Sequence, residues 1–424
     1  MAWRSDSHLN DDVVGGWYDA GDFLKLNFPL APTVGLLAWG MIEFKDAYVA
    51  SGVGVMSTAR NNLRIAADYL HRCWDPVNQT YVGQIGAVST DHNYWGRPED
   101  QNVVRPALVY NTSMPAADLL GAVAGALAAT SVVFNGPDTS FSQQVLNTAQ
   151  SLYSIAVVTG GKYSDFYRKD THSIYPSADF KDSLAFAAGW LYRATGNTSY
   201  LDQALKHWGS GSGDVFCSWD SLWALHAVHM STLVSKGVPV PGGVGYVTWA
   251  KNTFLKAWIN ANGYQDIIST PRGMHYAKWN SWGTLAMSTE AAALALLNAK
   301  YETDPGSKAS QVTFARSQID YALGFDAYRS FVVGFGNNPP QFAHHAAASC
   351  PDPPAICDWS TFASKTPNFH TLYGALVGGP AGQRKNATDP DNTYNDRRND
   401  YVTNEVANDC TFTFVYMYFY LSCI

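Results

Sequence analysis

An all-α fold is what this sequence predicts, and two patterns carry the prediction. Segments rich in Ala and Leu recur with helical spacing through the chain, while strand-like alternation is scarce. Leu63, Ala66, Ala67 and Leu70 follow the i, i+3, i+4, i+7 spacing of a helix with one apolar face. Other segments, such as Pro115–Phe134 with Leu119, Leu120, Val123 and Leu127, are apolar over most of their circumference. A helix of that kind is buried on more than one side. An inner ring of helices wrapped by an outer ring would produce this mixture. A layered solenoid would also, but no fixed repeat of about 20–50 residues is visible.

Taken in order, helices are expected at Pro32–Ala50, Thr58–Cys73, Pro115–Phe134, Phe141–Val158, Asp182–Thr195, Tyr200–Trp208, Ser218–Ser235 and Gly245–Asn260. Trp282–Tyr301, Ala309–Leu323, a shorter piece near His370–Val377 and Asn404–Leu421 complete about twelve. Ser330–Gly334 is the best case for a short strand. Polar, aromatic and Gly-rich stretches lie between: Gly15–Phe28, Asp91–Asn102, Lys162–Tyr175, Arg272–Trp282, Gly334–Ser349 and Gly378–Asn399. In a helical barrel such connections would gather at one end, where loops on a rigid scaffold carry function.

No Gly/Ser or Pro-rich linker, charge block or low-complexity tract divides residues 1–424, so one domain is expected. With 46% hydrophobic and 15% charged residues, the chain can bury a large core. No window is expected to match a membrane span of about 20 apolar residues, and Phe412–Ile424 reads as a buried last helix. A net charge of −7 without a Lys/Arg cluster argues against a nucleic-acid partner. Aromatic residues reach 14%, many of them beside Gly, Asp, Asn and His, which suggests a surface that stacks on flat hydroxylated rings. Cys350 and Cys357 bracket CPDPPAIC and are close enough to pair. Sequons begin at Asn78, Asn111, Asn197 and Asn386 and mildly favour a secretory route. The polar start MAWRSDSHLN shows no leader, and secretion with the leader removed is the preferred reading.

Two carboxylate clusters stand out. Asp19 and Asp22 share GGWYDAGDFLKLNFP, and Asp396, Asp400, Glu405 and Asp409 share NTYNDRRNDYVTNEVAND. Each alone has an ordinary explanation: a turn in which aspartates bind backbone N–H groups, or a Glu complementing a helix dipole. Together they supply what inverting glycoside hydrolysis needs, a base to activate water and an acid to protonate the leaving oxygen.

The sequence resembles the family 9 glycoside hydrolases, the endo-β-1,4-glucanases, and especially their animal, termite-like branch. The matching blocks run the length of the chain: WRSDSHLND, GGWYDAGDFLKLNFPLA, DHNYWGRPED, GKYSDFYRKD, YALGFDAYRSFVVGFGNNPPQFAHH, YGALVGGP and NDRRNDYVTNEVA. The resemblance implies an (α/α)6 barrel with an open cleft for a cellulose chain, formed as a single catalytic domain without a carbohydrate-binding module. It implies Asp22 as general base, Asp19 helping to hold the water, Glu405 as general acid, and Asp396 shaping the charge around the acid. An inverting pair should stand about 6.5–9.5 Å apart. His92, Trp95, Tyr175, Trp282 and His344 match sugar-binding positions. A structural Ca²⁺ is implied at Ala178, Asp179, Asp182 and Asp220, although Ser183 replaces a usual Glu, and the same aspartates could simply cap a helix. The partners implied are a β-1,4-glucan or cello-oligosaccharide, with no membrane or nucleic acid, and the chain is expected to be a monomer.

Three departures from the family pattern remain. HHR reads His344-His345-Ala346, the arginine four residues after the cleft tryptophan is Ala286, and a tyrosine five residues after the acid is Cys410. Losing guanidinium clamps weakens bidentate sugar contacts. The alternative is therefore a catalytically impaired relative that binds β-glucan with little or no hydrolysis.

Overall fold

The structure, a computed structural model, describes residues 3–50, 52, 54–209, 214–261, 264–325, 328–381 and 389–408. A small sheet opens the fold: β1 (Lys25–Leu26), β2 (Trp74–Asp75), β3 (Thr80–Ile85) and β4 (Ala107–Tyr110), with β3 pairing antiparallel to the other three. It fixes the backbone immediately after the DAGD turn and directs the chain into α1 (Asn27–Glu43). Next come α2 (Lys45–Ala50), α3 (Val55–Arg72), the single turn α4 (Val88–Asp91), α5 (Ala117–Phe134) and α6 (Thr139–Thr159). Then follow α7 (Lys181–Thr195), α8 (Ser199–Trp208), α9 (Trp223–Ser235) and α10 (Gly243–Trp249), which continues through a π-helical turn, Ala250–Leu255, into α11 (Lys256–Asn260). The hairpin of β5 (Ile267–Ser269) and β6 (His275–Ala277) precedes α12 (Thr284–Tyr301) and α13 (Pro305–Leu323). Short helices α14 (Ala346–Ser349), α15 (Trp359–Ala363) and α16 (Tyr401–Asn404) lie in the last loops.

Packing resolves these helices into two rings. α1 packs on α5, α5 on α7, α7 on α9 and α9 on α12, and each inner helix carries an outer partner: α3, α6, α8, α10 and α13 in turn. Burial follows the sequence pattern. Every residue of α1 except Ile42 is buried, and so is every residue of α5 except Val132 and Val133, whereas α3 buries only Leu63, Ala66, Ala67, Tyr69 and Leu70. α5 corrects one expectation: it is long and apolar enough to cross a membrane, but its surface is spent inside the barrel. That placement explains its composition without a bilayer.

The inner helices α1, α7, α9 and α12 deliver their C-terminal ends to one side of the barrel. There Glu43 of α1 accepts ion pairs from Arg193 at 2.6 Å and Lys236 at 2.9 Å, with Lys300 at 3.7 Å and a hydrogen bond from Tyr301. Arg193 and Lys300 stand in the last turns of α7 and α12, and Lys236 caps α9. Three cations around one carboxylate would repel, but the converging helix C-termini carry partial negative charge that balances them. Burial alone would raise the Glu43 carboxyl; Arg193, Tyr301 and Lys236 outweigh it and hold the group near about 2. α1 has 17 residues and rises about 25 Å, so this closed end lies far from the loops at the opposite end.

Several expected boundaries move. His370–Val377 is not helical: Gly374 has φ +85°, and Leu376 and Val377 make isolated bridges to Val332 and Val406. Ser330–Gly334 is not a strand: it bridges Leu376 at Val332 and bonds Ala375 through the Val333 N–H at 2.9 Å. The helix expected from Ser218 starts at Trp223, because Ser218 and Ser221 bond each other across a turn. The helix expected at Asn404–Leu421, with Cys410 and Phe412–Ile424, lies outside the described residues beyond Asn408. Cys350 and Cys357 form the expected disulfide.

Candidate active site

The DAGD turn is built to pass closely over another segment. The Asp19 N–H bonds the Leu24 carbonyl at 2.9 Å, closing the turn, and the Gly21 carbonyl accepts the Ala346 N–H at 2.8 Å. A Cβ on Gly21 would fall 2.4 Å from the His344 carbonyl oxygen, so only glycine permits this approach. On its other side His344 runs parallel to the Glu405 segment, with the His344 N–H donating to the Asn404 carbonyl at 2.8 Å. The Asn408 N–H closes the circuit onto the Asp19 carbonyl at 3.2 Å. The backbone thus brings the two carboxylate clusters, from opposite ends of the chain, to either side of His344.

Each carboxylate has an orienting partner. Asp22 Oδ1 accepts the Leu24 N–H at 3.1 Å and its Oδ2 accepts His92 Nε2–H at 2.9 Å. That hydrogen bond raises the His92 ring against the opposing effect of burial. Asp19 is buried, and its Oδ2 accepts the Tyr175 hydroxyl at 2.7 Å. Asp91, which sequence reasoning passed over, lies behind the pair. Its oxygens accept the Phe23 N–H and the Gln101 amide, both at 3.0 Å. Burial, then the charge of Asp22, push Asp91 up to about 6. Behind it, Asp11 accepts Lys25 and Arg105 at 2.8 Å each, and Arg105 also donates to the Phe23 carbonyl at 2.8 Å. This buried set anchors the turn from below.

On the acid side, Glu405 is half-buried in extended backbone just after α16, and its carbonyl accepts the Gly378 N–H at 2.9 Å. Asp396 uses both oxygens to hold other segments: Oδ2 accepts the Gln341 N–H at 2.8 Å, and Oδ1 accepts the Phe342 N–H at 3.0 Å and Asn404 Nδ2 at 3.2 Å. It therefore fixes the chain entering His344 and the turn leading to Glu405. Asn404, also missed in the sequence, is fully buried and bonded to Asp396, Phe342 and Tyr394. His344 donates from Nδ1 to the Arg398 carbonyl at 2.6 Å, and burial lowers its ring.

The aromatic positions divide. Trp282 is 53% exposed and meets Tyr401, 44% exposed, at 5.1 Å between centroids; Tyr401 in turn meets His344 at 5.9 Å. Trp95 corrects its expectation as a stacking face. It is only 6% exposed, pinned through Nε1 to Ser349 Oγ at 2.9 Å and packed against His344, Phe362 and Trp359. Trp359, exposed beside it, is the indole that faces solvent here. Tyr175 is packed edge-on to Trp219 at 4.8 Å. Ala346 and Ala286 are buried and bring no cation into the cleft.

At the expected metal quartet, each aspartate accepts a backbone N–H group. Asp220 Oδ1 accepts the Ala178 N–H at 2.9 Å, Asp182 Oδ2 accepts the Leu222 N–H at 2.8 Å, and Asp179 Oδ1 accepts the Phe180 N–H at 2.7 Å. Among the described residues no group of three His, Cys, Asp or Glu is arranged to hold a metal ion unaided. Yet Asp182 Oδ1 is buried without a hydrogen-bond partner, and burial pushes Asp182 up to about 8 and Asp220 up to about 6. A buried carboxyl in that state calls for a proton or a cation. The donor set fits a hard cation only with backbone carbonyls added.

Comparison with known proteins agrees with this geometry. The Glycosyl hydrolase family 9 model matches residues 1–418. Endoglucanase B of Cellulomonas fimi is 34% identical over 96% of this chain, which spans only 38% of that protein. Endoglucanase 15 of Arabidopsis thaliana is 32% identical over 96% of the chain and 85% of its own length. An endoglucanase structure from the termite Nasutitermes takasagoensis superposes with a TM-score of 0.87 at 40% identity, covering 99% of this chain and 92% of the other. CelQ of Clostridium thermocellum, solved with cellotriose and with cellotetraose, superposes at 0.83 with 34% identity, over nearly all of this chain and 66% of its own. The double ring of helices is accordingly the (α/α)6 barrel of these enzymes, and the chain belongs to glycosyl hydrolase family 9.

Proposed function

We propose that the chain is an endo-β-1,4-glucanase that hydrolyses internal bonds of cellulose or a related β-glucan with inversion. The observation that carries this reading is the pairing of the DAGD turn and the Glu405 segment across His344. In the proposed mechanism Asp22 takes a proton from a water whose oxygen attacks the anomeric carbon, and Glu405 gives a proton to the departing glycosidic oxygen on the opposite face. Leu24 and His92 occupy two acceptor positions of Asp22, and a carboxylate has about four, so room remains for the water. Asp19, held by Tyr175, would orient that water. Asp396 would act by position rather than by proton transfer. Trp282 and Tyr401 would stack on sugar rings, with His344 beside Tyr401 and His92 beside Asp22.

Asp22→Asn or Glu405→Gln should abolish release of reducing sugar from carboxymethylcellulose while circular dichroism stays unchanged; full activity in either variant would sink the assignment. Retention of Asp19, Asp22 and Glu405 around His344 favours hydrolysis over binding alone.

Secretion is part of the same proposal, supported by the Cys350–Cys357 disulfide and by the polymeric substrate. A structural Ca²⁺ held by Asp179, Asp182, Asp220 and the Ala178 carbonyl is proposed as well, on the strength of the unpartnered Asp182 oxygen. Ca²⁺ at about 100 times its Kd should add about 2.7 kcal/mol of stability, and Asp182→Asn should erase that response in a thermal melt. A monomer with neither membrane nor nucleic-acid partners completes the reading.

A further inference from the structure

The loop before α12 carries two tryptophans, Trp279 and Trp282, in the run WNSW, of which Trp282 meets Tyr401. We propose that Trp279 is an additional sugar-stacking platform, which lengthens the cleft on the side away from Tyr401 and makes the enzyme favour longer β-glucan chains. This rests on the glucanase reading and names a binding position within it.

The loop is short and braced. The Lys278 N–H bonds the Asp266 carbonyl at 2.8 Å, the Asn280 N–H bonds the Ala277 carbonyl at 2.9 Å, and Asn280 Oδ1 accepts the Trp282 N–H at 3.0 Å. Gly283, with φ +59°, then turns the chain into α12. Three residues span at most about 10 Å, so both indoles project from one short stretch of this loop. Trp279 is 58% exposed. Among the described residues its ring meets Phe216, edge-on at 4.9 Å and 88°, which fixes the indole and leaves a broad part of it in solvent.

The position along the cleft follows from the chain beneath. Phe216 precedes Trp219 on the loop before α9, Trp219 meets Tyr175, and Tyr175 holds Asp19. Trp279 is thus joined to the water-binding side of the centre, while Trp282 is joined through Tyr401 to His344 on the acid side. A single exposed apolar residue needs no explanation. Two neighbouring indoles, each more than half exposed and each tied to one side of the same centre, do. Stacking here also supplies grip where Ala346 and Ala286 bring no guanidinium.

The test compares Trp279→Ala and Trp279→Phe with wild type on cellotetraose and cellohexaose, and in gels containing carboxymethylcellulose. Trp279→Ala should raise KM for cellohexaose about tenfold, equivalent to about 1.4 kcal/mol, with kcat unchanged and cellotetraose kinetics unaltered. Trp279→Phe should recover most of the loss. Equal changes on both substrates would mean a general disturbance of the cleft, and no change on either would mean an indole without a ligand; each overturns the proposal. If wild type proves inactive, the catalytic reading fails alone: loss of gel retardation in Trp279→Ala would still support the platform, and unaltered retardation would overturn it.

Discussion

Asp91 offers a test of the electrostatics behind the base. It is buried, and burial together with Asp22 pushes its carboxyl from the ordinary 3.8 up to about 6. A folded pKa above the unfolded one means the native state holds this proton more tightly. The resulting stability is fully present below about 3.8 and is lost as pH rises through about 6. The loss is about 2 pK units, or about 3 kcal/mol, carried by the native protein at neutral pH. Asp91→Asn removes that term. It keeps an oxygen for the Phe23 N–H but turns an amide N–H towards Gln101, leaving a donor unpaired at about 1–3 kcal/mol. The hydrogen-bond loss is the same at every pH, and the charge term is not. Urea unfolding of both proteins at pH 4 and pH 7 should therefore show the variant faring about 2.4 kcal/mol better, relative to wild type, at pH 7 than at pH 4. An equal difference at the two pH values would refute the placement of Asp91 as a strained carboxylate behind Asp22. The Asp91 charge also raises His92, so the His92 ring should titrate at lower pH in the variant when followed by proton NMR.

Other perturbations separate the working end from the closed end. Tyr175→Phe deletes the hydroxyl donated to Asp19 and should lower kcat about 10- to 100-fold, matching about 1.5–3 kcal/mol for a hydrogen bond to a charged group, with little change in KM. Gly21→Ala drives a Cβ into the His344 carbonyl, so activity should collapse while far-ultraviolet circular dichroism keeps its helical form. Glu43→Ala leaves Arg193, Lys236 and Lys300 facing one another and should cost about 3–5 kcal/mol in denaturant unfolding, with kcat unaltered at permissive temperature.

The rings of the barrel were legible because burial on several sides leaves a composition signal: α5 is apolar all round and α3 only along one stripe. Helix starts were less legible. α1 begins at Asn27, upstream of the expected Pro32, because β1 delivers the chain already aligned; Pro29 and Pro32 then sit within its first two turns. His370–Val377 has helix-like letters, but its tertiary bridges to Val332 and Val406 override local preference. At the site, the carboxylates could be picked out from motif blocks. Asp91, Asn404, Tyr401 and Trp359 could not, since each looks like an ordinary loop residue until the fold sets it beside Asp22, Glu405, Trp282 or Trp95. Trp95 shows the reverse: its motif suggests an open stacking face, whereas packing against Phe362 and Trp359 makes it a support for His344.

The central claim is that Asp22 and Glu405 act on opposite faces of one glycosidic bond. Proton NMR of the first products released from a cello-oligosaccharide, recorded before mutarotation, tests it most directly. Inversion predicts that the newly formed reducing ends appear as the α-anomer and drift towards the equilibrium mixture. New reducing ends appearing first as the β-anomer would contradict the account.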